Sequence, residues 1–107
     1  MGYVYFIDDD TGRTKIGRTR KHPNERLKQF QFPNLSLRCF FETRWDSKLE
    51  VALHSRYKFC SESREWFNLE EFSTEELIKT CEILNDSIST IFNNDSDIQR
   101  INCLKNK

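Results

Sequence analysis

Residues 2–7, Gly2-Tyr3-Val4-Tyr5-Phe6-Ile7, are almost wholly aromatic or β-branched, the composition that suits a pleated, half-buried strand. They run into Asp8-Asp9-Asp10-Thr11-Gly12, a turn signal in which Gly12 is free to take a positive φ. Arg13-Thr14-Lys15-Ile16-Gly17 follows as a second short strand, so residues 2–17 commit the chain to a β-hairpin. Everything downstream has to be added to this ribbon.

The additions alternate in type. Pro23 fits the first turn of a helix, where its missing N–H is not needed. That helix is expected to run through Glu25, Arg26, Leu27 and Phe30 and to stop before Pro33. Leu35, Leu37, Cys39 and Phe41 alternate onto one face of a third strand. Asp46 is placed to N-cap a second helix, whose buried stripe is Leu49, Leu53 and Tyr57. Residues 61–64 form a polar loop, and Trp66-Phe67-Asn68-Leu69 is a short apolar segment. Ser73 and Glu76 make a capping box for a helix with Leu77, Cys81, Leu84, Ile88 and Ile91 on one face. Asn93-Asn94-Asp95 is expected to end it, leaving Ile98, Ile101 and Leu104 for a short last helix. The sum is a small α+β fold: a three-stranded antiparallel sheet flanked by helices. Residues 1–72 form its core, and residues 73–107 supply C-terminal helices that complete the same domain.

Composition sets limits on function. At 107 residues the chain is one domain by length, and its hydrophobic share of 36% is lean, offset in part by 13% aromatics. No apolar run approaches the roughly 18 residues of a spanning helix. Met1 to Asp10 lack a basic leader segment, so a cytoplasmic location without membrane attachment is expected. Cys39, Cys60, Cys81 and Cys103 lie too far apart for the close ligand pairs of a zinc site, and Cys39 and Cys81 fall at core positions.

Lys plus Arg and Asp plus Glu both number 17, a net charge of zero that argues against a nucleic-acid partner only if the charges are mixed. They are not mixed. Residues 1–10 carry three acids and no base, residues 11–60 twelve bases and four acids, and residues 61–107 five bases and ten acids. The middle segment is therefore +8, flanked by −3 and −5. Such asymmetry points the basic half towards a polyanion, unless the segments neutralise one another.

Within that basic half the order of motifs is informative: Tyr3-Val4-Tyr5, then Lys15-Ile16-Gly17-Arg18, then Arg26-Leu27-Lys28 on a helix, then Lys48-Leu49-Glu50 and His54 on another, then Arg64-Glu65-Trp66-Phe67. Over roughly residues 2–70 this resembles the GIY-YIG nuclease superfamily, in the phage and viral branch whose second motif reads Lys-Ile-Gly. The residue types agree with that chemistry. Glu50 is a hard oxygen ligand suited to Mg²⁺ or Mn²⁺. A helix arginine such as Arg26 grips phosphate in two-point fashion. Gly17 lets a polymer backbone approach closely.

The resemblance implies metal-dependent hydrolysis of a nucleic-acid phosphodiester, with DNA as the expected partner. Glu50 would hold the metal, and Arg26 would stabilise developing negative charge. Tyr5 would orient or deprotonate water, and Lys15 would stand where the family carries its second tyrosine. Tyr3, Gly17, Arg18, Arg20 and Lys28 would contact nucleic acid. Two places depart from the family pattern. Phe30 replaces a proton-transferring His or Tyr, and Asn68 is the only nearby candidate for an expected asparagine. His54, one helical turn after Glu50, is the expected substitute. Three functions follow: an endonuclease, a DNA-binding module of the same fold with weakened catalysis, or a phage-type interaction protein using its acidic C-terminal region. A homodimer through the C-terminal helices is compatible with each.

Overall fold

The computed structural model describes residues 1–30 and 34–105, with side chains up to residue 93. Strand β1 (Gly2–Asp8) and strand β2 (Arg13–Thr19) are followed by helix α1 (Pro23–Lys28), strand β3 (Ser36–Thr43), helix α2 (Asp46–Arg56), strands β4 (Ser61–Ser63) and β5 (Trp66–Asn68), and helix α3 (Thr74–Lys105). The sheet order is β3-β1-β2-β5-β4, with every pairing antiparallel.

The hairpin forms as its composition requires. Tyr5 faces Gly17 and Phe6 faces Ile16 across the pair. In the turn Gly12 takes φ +87°, and the Asp9 carboxylate accepts hydrogen bonds from the amides of Thr11 (2.9 Å) and Arg13 (3.0 Å). The expected three-stranded sheet is corrected to five strands, because the segments taken as loop and apolar fragment pair as β4 and β5. Each is only three residues long, and all of β4 is exposed, so neither carries an alternation that a sequence could display.

Strand β3 also differs in detail. Phe6 pairs with Cys39 but Ile7 pairs with Leu37, so Arg38 is an extra residue in a β-bulge. Cys39 and Phe41 therefore pack on the core with Val4 and Phe6, while Leu37 lies opposite Ile7 on the other face. The bulged Arg38 reaches across to the carbonyls of Leu69 (3.1 Å) and Phe72 and to the Thr74 hydroxyl, pinning the start of α3 to the sheet.

Helix α1 is shorter than expected. His22 caps it, its Nδ1 accepting from the Asn24 amide at 3.2 Å, and Pro23 occupies the first turn. The amides of Gln29 and Phe30 bond back only three residues, which tightens the chain out of the helix and leaves Phe30 beyond it. The expected stop before Pro33 lies outside the described residues. Helix α2 begins with Trp45 as its N-cap, not Asp46, which sits in the first turn with its carboxylate turned inward. Its stripe of Leu49, Leu53 and Tyr57 is buried as the spacing implies.

Ser73 caps α3, its hydroxyl accepting from the Glu76 amide at 3.1 Å. The helix does not end at Asn93-Asn94-Asp95 but continues to Lys105 as one 32-residue element. Asn and Asp inside a helix each disfavour it by only about 0.7 kcal/mol, and no Gly or Pro interrupts the run. The contacts expected of Ile98, Ile101, Cys103 and Leu104 lie outside the described side chains. One core forms between the sheet and the helices: Val4, Phe6 and Ile16 from the hairpin, Leu49 and Leu53 from α2, Phe67 and Leu69, and Leu77 and Cys81 from α3. Among the described residues no helix is long and apolar enough to cross a membrane.

Candidate functional site

Strand β5 pairs with β2 only over Arg13–Lys15, and the last link between them is the Ile16 amide donating to the Glu65 carbonyl at 3.0 Å. Beyond that point the outer edge of β2, residues 17–19, faces a cleft of about 490 Å³. Its walls are Tyr5, Gly17, Arg18, Thr19, Arg20, Arg26, Glu50 and Glu65. Tyr5, Gly17, Arg18, Arg20, Arg26 and Glu50 are thus brought together from β1, β2 and its exit, α1 and α2. A second cavity of about 460 Å³, by the hairpin turn and Trp66, is lined by none of the residues expected to bind metal, to bind nucleic acid or to act in catalysis.

Tyr5 reaches the cleft through Gly17. A Cβ on Gly17 would stand 2.3 Å from the Tyr5 hydroxyl oxygen and 2.4 Å from Cζ. The glycine is therefore required by the chain itself: it makes room for the tyrosine ring, which is only 2% exposed. Room for Tyr5 is thus a use of Gly17 separate from the close backbone approach expected of it, and Gly17 also lines the cleft.

From α1, Arg26 contributes a half-buried guanidinium. Its Nη1 donates to Gln29 at 2.7 Å, while its buried Nε has no hydrogen-bond partner. Phe30, which cannot move a proton, instead lies beside two cations. Arg26 sits 5.2 Å and Lys15 4.6 Å from the ring centroid, within cation–π range. Lys15 is also ion-paired with Glu65 at 3.0 Å. It does not line the cleft; the Glu65 carboxylate that it holds does.

From α2, Glu50 and Asp46 lie one helical turn apart on the same face. Arg18 faces both, its Nη1 3.6 Å from Asp46 Oδ2 and its Nε 3.8 Å from Glu50 Oε1. Burial pushes the Glu50 carboxyl above the ordinary glutamate range. The nearby carboxylates of Glu65 and Asp46 push the same way, while His54 and Arg18 oppose them. His54 lies outside the cleft wall. Its Nε2 meets the Ile16 carbonyl at 2.9 Å and so donates to it, and its ring packs edge-on against Phe67, 5.0 Å between centroids. That fastens α2 to β2 and commits one imidazole nitrogen to structure.

Tyr3 and Lys28 do not line the cleft either. Tyr3 packs with His22 and Phe40 on the α1 side of the sheet, and Lys28 is exposed at the end of α1. Asn68 lies on β5 opposite Arg13, away from Glu50. Burial raises the thiol pKa of Cys39 to about 11 and of Cys81 to about 12, which keeps both as inert core groups. The sequence assigns no part to Glu65 or to the inward turn of Asp46. The only available signals were the acid directly before Trp66-Phe67 and the spacing of four between Asp46 and Glu50.

Among the described residues no three His, Cys, Asp or Glu side chains converge as a self-sufficient metal cage. One or two carboxylates, completed by water and phosphate oxygens, are nevertheless the usual protein share of a Mg²⁺ site. Glu50, with the buried and unbonded Asp46 Oδ2 beside it, fits that donor set.

No curated protein and no solved structure matches the chain. Residues 2–84 match the family model of the T5orf172 domain, a phage-associated domain related to nuclease-like folds, and the chain belongs to that family.

Proposed function

We propose that the protein is a divalent-metal-dependent endonuclease of the GIY-YIG type that hydrolyses phosphodiester bonds in DNA. The observation that carries this reading is the convergence of Tyr5, Arg26 and Glu50 on one cleft from three separate elements. Family membership supports a nuclease-like or DNA-interacting module, and the cleft supplies the chemistry.

Each wall has a part in that chemistry. The guanidinium of Arg26, which lines the cleft, donates to a non-bridging phosphate oxygen, and charge on that oxygen grows as water adds to phosphorus. Arg18 and Arg20, at the end of β2 and just beyond it, hold the phosphates on either side. The Tyr5 hydroxyl, fixed by packing against Gly17, orients the attacking water. Glu50 would hold Mg²⁺ or Mn²⁺, which would supply Lewis-acid stabilisation of the phosphoryl oxygens. Glu65, held by Lys15, is the remaining cleft carboxylate able to receive the proton that the water loses, while the phosphorus–oxygen bond opposite the water breaks and the departing sugar oxygen takes a proton from solvent.

The test is a plasmid-nicking assay with Mg²⁺ or Mn²⁺. Wild type is expected to nick, and Glu50→Ala and Arg26→Ala are each expected to lose at least 100-fold in rate, the scale of one transition-state stabiliser. Equal nicking by wild type and Glu50→Ala would refute the assignment. One observation favours a second reading, a DNA-binding module with weakened catalysis: Lys15 is tied to Glu65 and Phe30 in place of a free second tyrosine. That reading predicts salt-sensitive DNA binding with no cleavage in either metal.

A further inference from the structure

Asp46 is an unusual residue for its position. It is 6% exposed, and its Oδ2 is buried with no hydrogen-bond partner. Its space is prepared by another residue, because a Cβ on Gly2 would stand 2.5 Å from its carboxyl carbon. A buried carboxylate left without hydrogen bonds is costly. Its nearest counter-charge is Arg18 Nη1 at 3.6 Å, too long for a hydrogen bond. The same guanidinium stands 3.8 Å from Glu50, again at ion-pair but not hydrogen-bond range. A side chain with five donors thus sits between two carboxylates, unbonded to either. Its own side chain is 45% exposed and therefore free to swing outward.

We infer that Asp46 and Glu50 together form the cation site, and that Arg18 is a resident cation which leaves it when a divalent ion binds. This rests on the reading of Glu50 as a metal ligand and extends it with a second carboxylate and an exchange. Two carboxylates one turn apart on a helix match the protein share of a Mg²⁺ or Mn²⁺ site. A compact divalent ion can approach Asp46 Oδ2 closely, where the planar guanidinium does not. Once displaced, Arg18 is free to meet a phosphate, so the same event that loads the ion extends the nucleic-acid contact. Arg18 accordingly opposes metal binding and favours nucleic-acid binding.

The experiment is Mn²⁺ titration of the full chain without nucleic acid, read by electron paramagnetic resonance of the free ion. Wild type, Glu50→Gln, Asp46→Asn and Arg18→Gln are compared. Asp46→Asn is expected to weaken Mn²⁺ binding about 10–100-fold, the range for loss of a group that supports a metal site. Arg18→Gln is expected to tighten it about tenfold, since a like charge leaves contact range. Because Asp46→Asn disturbs a buried position, a second readout is the rise in melting temperature on adding Mn²⁺, which follows binding to the folded state. That rise should be larger for Arg18→Gln, an exposed substitution, than for wild type. If Glu50→Gln abolishes binding while Asp46→Asn and Arg18→Gln match wild type, the two-carboxylate exchange is refuted and the Glu50 role stands. If Glu50→Gln binds like wild type, the underlying reading falls as well.

Discussion

At the scale of single residues, two groups of the cleft have effects on stability that can be measured. Gly17 is one. Its missing side chain is the slot for the Tyr5 ring, so Gly17→Ala forces a buried tyrosine to move. Overpacking of this kind destabilises by about 1–3 kcal/mol. Urea unfolding is expected to show that loss, together with loss of nicking because Tyr5 is displaced. A Gly17→Ala protein as stable as wild type would mean the slot is not needed. Glu50 is the second case. Its carboxyl is raised by burial and by neighbouring carboxylates, so the ionised form is disfavoured in the folded chain. With metal chelated, Glu50→Gln is therefore expected to melt above wild type at pH 7. The difference should vanish as pH falls below the ordinary glutamate range of about 4.3, where both states of the wild-type chain carry the neutral acid. Metal-dependent cleavage moves the opposite way. It declines on acidification as Glu50 takes up its proton, in a window that opens above the ordinary glutamate range. Equal melting of the two proteins in chelator across the whole pH range would contradict this account.

At the scale of elements, what the sequence disclosed follows from periodicity. The hairpin and the Leu49-Leu53-Tyr57 stripe were legible because several residues repeat one pattern against one buried face. Strands β4 and β5 were not, because three residues cannot display a period. The Arg38 bulge was hidden for a related reason: it interrupts an alternation that otherwise looks perfect from Leu35 to Phe41. The site divides along the same line. Tyr5, Arg26 and Glu50 were found from their order along the chain. Asp46, Glu65 and the structural use of His54 depend on how α2 and β5 dock on β2, which no local pattern records. Helix α3 shows how far the local pattern does reach. Its capping residues and its apolar stripe from Leu77 to Ile88 are readable, with Leu77 and Cys81 fully buried against the sheet and α2, but Ile91, expected on the same stripe, is 55% exposed because it lies beyond the packed core. Leu77→Ala is accordingly expected to lose about 2–5 kcal/mol in chemical denaturation. A chain cut after residue 72 is expected to lose cooperative unfolding altogether. A folded 1–72 fragment would show instead that α3 is an accessory to the core.

At the scale of the molecule, the zero net charge conceals a local arrangement. The cleft contains three arginines, Arg18, Arg20 and Arg26, but also Glu50 and Glu65, and Asp46 lies behind them. Elsewhere Arg13 is paired with Asp9, and Arg38 with the β5–α3 connection and Asp8, while Lys21, Lys28, Arg56 and Lys58 are exposed. A DNA contact confined to the cleft draws its affinity from few phosphates. Each neutralised phosphate on duplex DNA contributes a slope of about −0.9 in log affinity against log salt. Three cleft arginines then limit the slope to roughly −3, far shallower than that of a protein with a broad basic face. Arg20→Ala, which touches neither carboxylate of α2, is expected to flatten the slope by about one and to weaken binding equally on unrelated sequences. Arg18→Gln should flatten it less, because in wild type part of that charge is already balanced by Asp46 and Glu50. Fluorescence anisotropy across a salt series measures all three proteins. A wild-type slope near −6, unchanged by Arg20→Ala, would move the nucleic-acid contact away from the cleft and onto the basic surface outside it.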